Sequence, residues 1–220
     1  MVKEKEVGNL IVISGPSGAG KDSVVQKLLE TNKNMVLSVS MTTRAPRKGE
    51  QEGVDYFYVT KEYFLEQIDK GNFLEYANVY ASDYYGTPKD AVLDNIKKGK
   101  DVILVIDIQG ALKVKEIMPE SIFIFIMPPS MRELKNRLVR RDTETPEKIL
   151  ARFKTAYKEI NEATKYNYVV INDKIDKAAK KVEAIVLAEK CRVDRIEDFD
   201  LNSEQELIHE LLVEKGLTKA

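Results

Sequence analysis

Four short apolar runs, each about as long as a buried β-strand, recur along the chain at residues 9–14, 101–108, 121–127 and 166–171. Helical patterns, in which apolar residues return every three or four positions, lie between and after these runs, notably over residues 131–141, 146–164 and 174–190. Strands that alternate with helices in this way predict a parallel sheet covered by helices on both faces. The fold class that we expect is therefore α/β.

Two segments interrupt the alternation. Residues 38–91 are rich in Tyr, Thr and Gly, with "DYFYVT" and "NFLEYANVY" patterned as strands and "TKEYFLEQIDK" as a short helix, and they predict an inserted α+β lobe. Residues 131–152 predict a polar lid, which leaves residues 1–37, 92–130 and 153–190 as the core. Residues 191–220 form an acidic extension, in which Ser203 and Glu206 make a capping box for a helix over residues 203–215.

The composition narrows the classes of protein. The 35 basic and 36 acidic residues give a net charge of −1, so no global field favours nucleic acid or a membrane surface. No apolar run approaches the roughly 18 residues of a membrane-spanning helix, and we expect neither such a helix nor a signal peptide. The single cysteine, Cys191, fits a reducing compartment, so we expect a cytoplasmic protein. No cluster of ligands surrounds Cys191 or the sole histidine, His209.

A phosphate-binding loop follows the first apolar run. The sequence "GPSGAGK" satisfies G-x-x-x-x-G-K after a predicted strand and before a predicted helix. Glycines allow backbone N–H groups to converge on phosphate oxygens, and the helix N-terminus adds partial positive charge. Lys21 can then reach the β- and γ-phosphates. The loop predicts a nucleoside triphosphate site and does not define a second substrate.

Asp22 stands directly after the lysine, where a hydroxyl is usual, and Ser23 supplies a hydroxyl one position later. In one interpretation, Asp22 interacts favourably with the helix dipole and turns away from the phosphates. In the other, it contacts magnesium directly or through water. Without an intervening cation, a carboxylate about 4 Å from a phosphate charge would cost about 1 to 4 kcal/mol, depending on the local dielectric. Both interpretations remain open.

The inserted lobe carries a candidate site for a second nucleotide. Arg44 and Arg47, with the hydroxyls of Tyr56 and Tyr85, can grip one phosphate through charged and neutral hydrogen bonds. A buried carboxylate at Glu75 would accept from two adjacent donors on a base edge. Guanine offers such a pair, N1–H and the 2-amino group, whereas adenine has an acceptor at N1. A wrong base would leave the carboxylate unpaired, which produces large discrimination.

Eight motifs in order, "GPSGAGK", "TTRAPR", "DYFYV", "FLEYA", "YYGTP", "DIQG", "RDTET" and "VVIND", resemble those of the bacterial-type guanylate kinases over residues 10–190. The resemblance implies a P-loop nucleoside monophosphate kinase core, with a parallel sheet flanked by helices, an inserted α+β GMP-binding lobe and a helical lid. It implies phosphoryl transfer from ATP to GMP, and to dGMP, in purine nucleotide metabolism, with Mg²⁺ as cofactor. The expected partners are these small molecules, and both a monomer and a homodimer remain open.

The resemblance also assigns residues to roles. For ATP it implies the loop and the start of its helix, together with an asparagine near the adenine: Gly15, Pro16, Ser17, Gly18, Ala19, Gly20, Lys21, Asp22, Ser23 and Asn172. For GMP it implies phosphate ligands at Arg44, Arg47, Tyr56 and Tyr85, and guanine contacts at Ser40, Glu75, Thr87 and Asp107. The implied catalytic residues are Lys21 and three lid arginines, Arg137, Arg141 and Arg152. The candidate magnesium ligands are Ser23 and Asp22, which the loop sequence suggests and the resemblance does not imply for Asp22.

Three positions depart from the family pattern. Asp22 replaces Gly or Ser, Val105 stands where an acidic residue is usual, and Asp142 replaces a glycine after Arg141. The carboxylate lost at residue 105 and the one gained at residue 22 suggest a hypothesis, in which Asp22 partly compensates in holding hydrated magnesium. An exposed lid turn can accommodate Asp142 without a change of function.

Without the resemblance, several residues have plainer interpretations. The arginines of residues 131–141 would form a solvated helix face, and Tyr56 and Tyr85 would be half-buried strand aromatics. Glu75 would be an outward residue of a strand, and Asp107 would cap the next helix.

Two rival functions also stay open. The G-K-D-S sequence resembles that of ribose bisphosphate phosphokinases of the same fold, which would have no use for a guanine-reading set. A guanylate-kinase-like binding module would hold phosphopeptides on the lobe without catalysis. Such modules usually lose the lysine-bearing loop, which is intact here.

Overall fold

The computed structural model describes residues 3–4, 7–79, 83–139, 146–198 and 202–215. The strands are β1 (Lys3–Glu4), β2 (Leu10–Ser14), β3 (Met35–Leu37), β4 (Ser40–Thr42), β5 (Tyr56–Tyr58), β6 (Phe73–Val79), β7 (Asp83–Pro88), β8 (Asp101–Val105), β9 (Ile122–Met127), β10 (Tyr168–Ile171) and β11 (Ile196–Asp198). The helices are α1 (Lys21–Thr31), α2 (Lys61–Asp69), α3 (Lys89–Lys97), α4 (Ile108–Ile117), α5 (Met131–Val139), α6 (Pro146–Asn161), α7 (Ile175–Lys190) and α8 (Asn202–Glu214). Two 3₁₀ turns cover Glu162–Lys165 and Val193–Arg195. The chain divides into two units, residues 7–186 and residues 1–6 with 187–220, which are described separately.

A parallel sheet in the order β10-β9-β2-β8-β3 forms the centre of the larger unit. Most positions of its strands are apolar because helices cover both faces, and the polar residues Ser14 and Asp101 stand at strand ends. Ile11 and Ile13 belong to a core cluster with residues of α1 and α7, whereas Leu10 and Val12 belong to a second cluster with residues of α3 and α4. The expected α/β class, with a parallel sheet flanked by helices, is confirmed.

The β8 strand is shorter than the pattern predicts. It ends at Val105 rather than at Ile108, because Asp107 is the N-cap of α4. The Asp107 Oδ1 atom accepts from the Gly110 N–H at 2.8 Å. The strand β3 was not predicted, since it has three residues of which only Met35 is buried.

The segment between β3 and α3 folds into a second sheet, in the order β5-β4-β7-β6. Helix α2 begins after Thr60, whose side chain accepts from the Tyr63 N–H, and it buries Phe64 against one face of this sheet. The Phe64 ring stacks on that of Phe73 at 4.5 Å, over Gly86, which has no side chain to separate them. The opposite face of the lobe sheet is left for polar side chains.

Helices α5 and α6 share a small apolar core made of Leu134, Leu138 and Ala156. Residues 140–145, which include Arg141 and Asp142, lie outside the described part of the chain. Helix α5 also packs on the loop after β2. Its residues Leu134 and Leu138 approach Gly18 so closely that a Cβ added there would lie 3.0 Å and 3.2 Å from their side chains.

The smaller unit contains an antiparallel pair of β1 with β11, and the helix α8. Within it, Glu189 is buried and its Oε2 atom lies 3.6 Å from Arg192 and 3.2 Å from Arg195. The side chain of Ser203, the predicted capping residue, lies outside the described residues, so the predicted box with Glu206 stays a prediction. In the described ranges, no helix is long and apolar enough to cross a membrane.

Candidate functional site

The loop between β2 and α1 has a backbone that requires glycine. Gly15, Gly18 and Gly20 have φ angles of 149°, 88° and 84°, in the region that other residues rarely adopt. An added Cβ at Gly15 would lie 2.1 Å from the Ile126 carbonyl oxygen. Gly20 is the N-cap of α1 and has no side chain to cap the helix. The N–H groups of the first turn are therefore oriented to receive an anion.

Lys21, the first residue of α1, folds back over the loop. Its Nζ donates to the Gly15 carbonyl oxygen at 2.6 Å and to that of Pro16 at 3.4 Å. Asp22 and Ser23 follow in the first turn of the helix, and both are exposed. The order of strand, loop, lysine and helix is the arrangement that the motif predicts.

The second half of the loop is held by Asn172 and Arg137. Asn172 is buried, and its Nδ2 donates to the Ala19 carbonyl oxygen at 2.8 Å. Arg137 of α5 donates to the Ala19 carbonyl oxygen at 3.4 Å and to the Asn172 carbonyl oxygen at 3.0 Å. Glu133, one turn earlier, accepts from Arg137 Nε at 2.9 Å. These bonds bring two predicted ligands of the triphosphate site to one segment of the loop.

Helix α6 reaches the first half of the loop with two charged residues. Arg152 Nη2 donates to Ser17 Oγ at 2.5 Å. Glu159, two turns later on the same face, is near the Ser17 N–H and the Lys21 charge. Burial raises the pKa of Glu159, while Lys21 and the Ser17 N–H act in the opposite direction. The motif analysis missed Glu159, although its spacing of seven residues from Arg152 places both on one face.

One face of the lobe sheet collects five predicted GMP-binding residues. The register pairs Glu75 with Thr87 across β6 and β7, and Ser40 with Tyr56 across β4 and β5. Tyr85 lies two residues before Thr87, and the pairing of β4 with β7 brings Ser40 to the same face. Sequence position alone does not reveal this arrangement, because Ser40 and Thr87 are 47 positions apart.

At one end of this face, Arg44 joins the two predicted tyrosines. Its Nε donates to Tyr85 Oη at 3.1 Å, and its guanidinium carbon lies 5.4 Å from the centre of the Tyr56 ring. The Tyr56 and Tyr85 rings meet edge to face with centroids 5.8 Å apart. Burial raises the pKa of Tyr56, so its hydroxyl stays protonated and able to donate. Arg47 is exposed beside this cluster.

At the other end, Glu75 is buried and its Oε1 accepts from Thr87 Oγ1 at 2.7 Å. Burial raises the pKa of Glu75, and the negative charge of Asp107 raises it further, while the Thr87 hydrogen bond and Lys113 lower it. An added Cβ at Gly110 would lie 2.9 Å from Glu75 Oε2 and 3.5 Å from Asp107 Oδ1. The two predicted guanine-reading carboxylates thus lie close together around the start of α4.

Two further residues of this region were missed from the sequence. Glu50 forms an ion pair with Arg44 at 2.9 Å. The centre of the Tyr58 ring lies 6.0 Å from the Arg44 guanidinium carbon. The glutamate three residues after Arg47 in "RKGE" was a local signal, since a turn of this length allows a side chain to bond its own backbone.

The residues near the loop are suited to magnesium that arrives with a nucleotide. Among the described residues, no three His, Cys, Asp or Glu side chains converge as a metal site. Magnesium at nucleotide sites needs no such cluster, because phosphates and waters complete its octahedron around one or two protein oxygens. The exposed Asp22 and Ser23 oxygens, next to Lys21, are hard donors of that kind. Val105 provides no carboxylate and packs against the apolar core.

The fold and this site define an α/β protein with a phosphate loop and a second polar face on an inserted lobe. The model of the guanylate kinase family matches residues 7–189. The chain belongs to the guanylate kinase family, as its motifs indicate.

Individual relatives agree with this assignment. The chain is 58% identical over 207 residues to the guanylate kinase of Clostridium tetani, which covers 94% of this chain and 99% of that relative. It is 56% identical over 204 residues to the guanylate kinase of Caldanaerobacter subterraneus subsp. tengcongensis, with 93% and 98% covered. A crystal structure of guanylate kinase from Anaplasma phagocytophilum is similar with a TM-score of 0.72 and 39% identity, over 98% of both chains.

Proposed function

We propose that the chain transfers the γ-phosphoryl group of ATP to GMP, giving ADP and GDP. Membership of the guanylate kinase family supports this activity. The observation that carries it at the level of residues is the single face of the lobe sheet that holds a buried carboxylate, Glu75, together with Tyr85, to which Arg44 donates. Such a face can bind a purine base at one end and its phosphate at the other.

Guanine is the base that this face fits. The Glu75 carboxylate accepts from guanine N1–H and the 2-amino group, with Thr87 fixing one of its oxygens. Ser40, on the same face, and Asp107, close to Glu75 at the start of α4, are assigned to orient the ring. Adenine would place an acceptor against the carboxylate and leave it unpaired, which disfavours AMP.

The GMP phosphate is held by Arg44, Arg47, Tyr56 and Tyr85 in this proposal. The named residues contact the base and the phosphate and none is assigned to the 2′-hydroxyl, so dGMP is accepted as a second substrate. ATP binds through the backbone N–H groups of the loop residues 15–20 other than Pro16 and through Lys21, with Asn172 near the adenine.

The chemistry requires positioning and neutralisation of charge. A GMP phosphate oxygen forms a bond to the γ-phosphorus while the bond from that phosphorus to the bridging oxygen of ADP breaks, without a covalent enzyme intermediate. Lys21, Arg137 and Arg152 stabilise the charge on the transferring group, and Arg141 is assigned the same role by its motif. Magnesium supplies additional neutralisation of phosphate charge when bound, and Ser23 with Asp22 would hold it.

We also propose that residues 38–91 and 131–152 close on the core as lobe and lid, so that water is excluded and ATP is not hydrolysed. The reaction belongs to purine nucleotide metabolism, and a single cysteine agrees with the reducing cytoplasm as its place. No role is proposed for residues 191–220.

The test is the release of ADP from Mg·ATP with five acceptors: GMP, dGMP, AMP, UMP and ribose 1,5-bisphosphate. We expect turnover with GMP and dGMP, and a kcat/KM for AMP that is at least about 100-fold lower than that for GMP. Turnover only with ribose 1,5-bisphosphate would assign the chain to the rival kinases. GMP binding without turnover would assign it to the binding modules.

A further inference from the structure

In the turn that connects the predicted phosphate arginines to β5, the carboxylate of Glu50 accepts three hydrogen bonds. Its Oε1 accepts from Arg44 Nη2 at 2.9 Å. Its Oε2 accepts from the Arg47 backbone N–H at 2.7 Å and from Tyr58 Oη at 2.8 Å. One side chain therefore bonds to both arginine residues that are proposed to hold the GMP phosphate, and to a tyrosine of the adjacent strand.

Glu50 is a charged carboxylate at neutral pH. The hydrogen bond from Arg44, followed by that from the Arg47 N–H, lowers the pKa of Glu50 to about 2. Burial and then the bond to Glu50 raise the pKa of Tyr58 to about 12, so that Tyr58 keeps its proton as a donor. At physiological pH, the Glu50 carboxylate therefore remains an acceptor, and Arg44, the Arg47 N–H and the Tyr58 hydroxyl remain its donors.

These contacts leave room for a ligand on Arg44. The guanidinium has five N–H donors. Single bonds to Glu50, Tyr85 and the Ala45 carbonyl oxygen account for three of them. The side chain is 13% exposed, so it is oriented before any ligand arrives and still accessible to one. A preoriented arginine does not lose rotamer freedom when it binds, which favours affinity.

We propose that Glu50 is a positioning residue for the acceptor nucleotide, which orients Arg44 and the backbone at Arg47 toward its phosphate group. The inference rests on the proposed function, because it takes the GMP phosphate as the ligand of these arginines. Glu50 itself carries negative charge and contacts no phosphate. Glu50 affects the affinity for a phosphorylated acceptor. It does not affect the binding of the base or the binding of ATP.

Glu52 offers a matched control in the same turn. It is exposed, and its Oε2 accepts from the Tyr58 backbone N–H at 3.0 Å, whereas Glu50 accepts from the hydroxyl of the same tyrosine. The variants Glu50→Gln and Glu52→Gln therefore remove the same charge from neighbouring positions. Only the first places an amide against donors from Arg44 and Arg47.

The experiment compares the wild type, both variants and Tyr58→Phe in steady-state kinetics, with calorimetric binding of GMP and of guanosine, which lacks the phosphate. Glu50→Gln is expected to raise KM and Kd for GMP about tenfold or more, with kcat, KM for ATP and the affinity for guanosine within about twofold of wild type. Glu52→Gln is expected to match the wild type. Tyr58→Phe, which removes one neutral hydrogen bond, is expected to raise KM for GMP about two- to fivefold.

Distinct outcomes overturn the inference. Equal KM for GMP in Glu50→Gln and Glu52→Gln would contradict it, as would an equal loss of guanosine and GMP affinity, which indicates a general disturbance of the lobe. If Glu50→Gln does not fold, an unchanged KM for GMP in folded Tyr58→Phe would contradict it. A wild type that neither binds nor phosphorylates GMP would instead overturn the proposed function.

Discussion

The hydroxyl of Thr87 donates to the carboxylate of Glu75 at 2.7 Å, and both side chains are buried on one face of the lobe sheet. This bond fixes Oε1, and Oε2 lies beside Gly110 at the start of α4. Burial raises the pKa of Glu75, which means that the charged carboxylate costs stability at neutral pH. In the proposed function, guanine supplies the missing donors and removes part of that cost.

Replacement of Glu75 by glutamine is expected to remove most discrimination for GMP. The amide presents a donor to the N1–H and 2-amino donors of guanine, so kcat/KM for GMP should fall by about 100-fold or more. The dissociation constant of ATP should not change. Glu66→Gln is the control, since Glu66 is exposed on α2 and pairs with Lys70. An unchanged base preference in Glu75→Gln would contradict the assignment of Glu75 to guanine recognition.

The same variant is expected to be more stable than the wild type at neutral pH. Because the pKa of Glu75 is raised in the folded protein, its favourable contribution to stability is present below the unfolded pKa of about 4.3 and is lost as the pH rises through the folded pKa. Glu75→Gln has no such loss. Thermal unfolding without nucleotide should show a Tm higher by roughly 2–4 °C at pH 7, with the difference narrowing toward pH 4. A difference independent of pH would contradict this explanation.

A methyl group at residue 110 is expected to disturb GMP binding from the side of the core. Alanine is favoured over glycine within a helix by about 0.5–1 kcal/mol, yet its Cβ would lie 2.9 Å from Glu75 Oε2. Gly110→Ala should therefore raise KM for GMP about threefold to tenfold, without a change of KM for ATP. Equal KM for GMP in Gly110→Ala and the wild type would show that Glu75 does not need its present position.

The global features of this molecule were accessible from the sequence because they depend on local pattern. Buried runs such as residues 9–14 and 121–127 correspond to the strands β2 and β9, and "GPSGAGK" occupies the loop between β2 and α1. The end of β8 was misplaced because the apolar pattern continues to Ile108, whereas the Asp107 cap had already begun α4. Spacing placed Glu159 on the face of Arg152 and Glu50 in the turn after Arg47, but their partners are defined by the folded turn and by the docking of α6, so both were missed.

Arg152 is expected to act on the chemical step rather than on acceptor binding. Its Nη2 donates to Ser17 Oγ, within the phosphate loop. Lysine keeps the charge but cannot form the planar, two-pronged contact with a phosphoryl group. Arg152→Lys should lower the single-turnover rate about 100- to 1000-fold with little change in KM for GMP. Arg132→Lys, on the exposed face of α5, should retain the wild-type rate, and a similar loss in both would refute a specific role.

Asp22 is expected to contribute to the affinity for magnesium. It is exposed in the first turn of α1 beside Ser23. If it holds hydrated metal, Asp22→Gly should raise the Mg²⁺ concentration for half-maximal activity roughly tenfold, at saturating ATP. Asp90→Asn, in the exposed first turn of α3, controls for the loss of a charge at a helix N-terminus. Turnover of Asp22→Gly equal to that of the wild type at limiting Mg²⁺ would end the hypothesis.

We propose that the γ-phosphoryl group of ATP moves to GMP in the presence of magnesium. The most direct measurement follows labelled γ-phosphate of ATP into products, with GMP present or absent and with Mg²⁺ or a chelator. The label is expected to appear in the β-position of GDP, only with GMP and Mg²⁺, while free phosphate stays at background. Label that appears as free phosphate, or that never enters GDP, would contradict it.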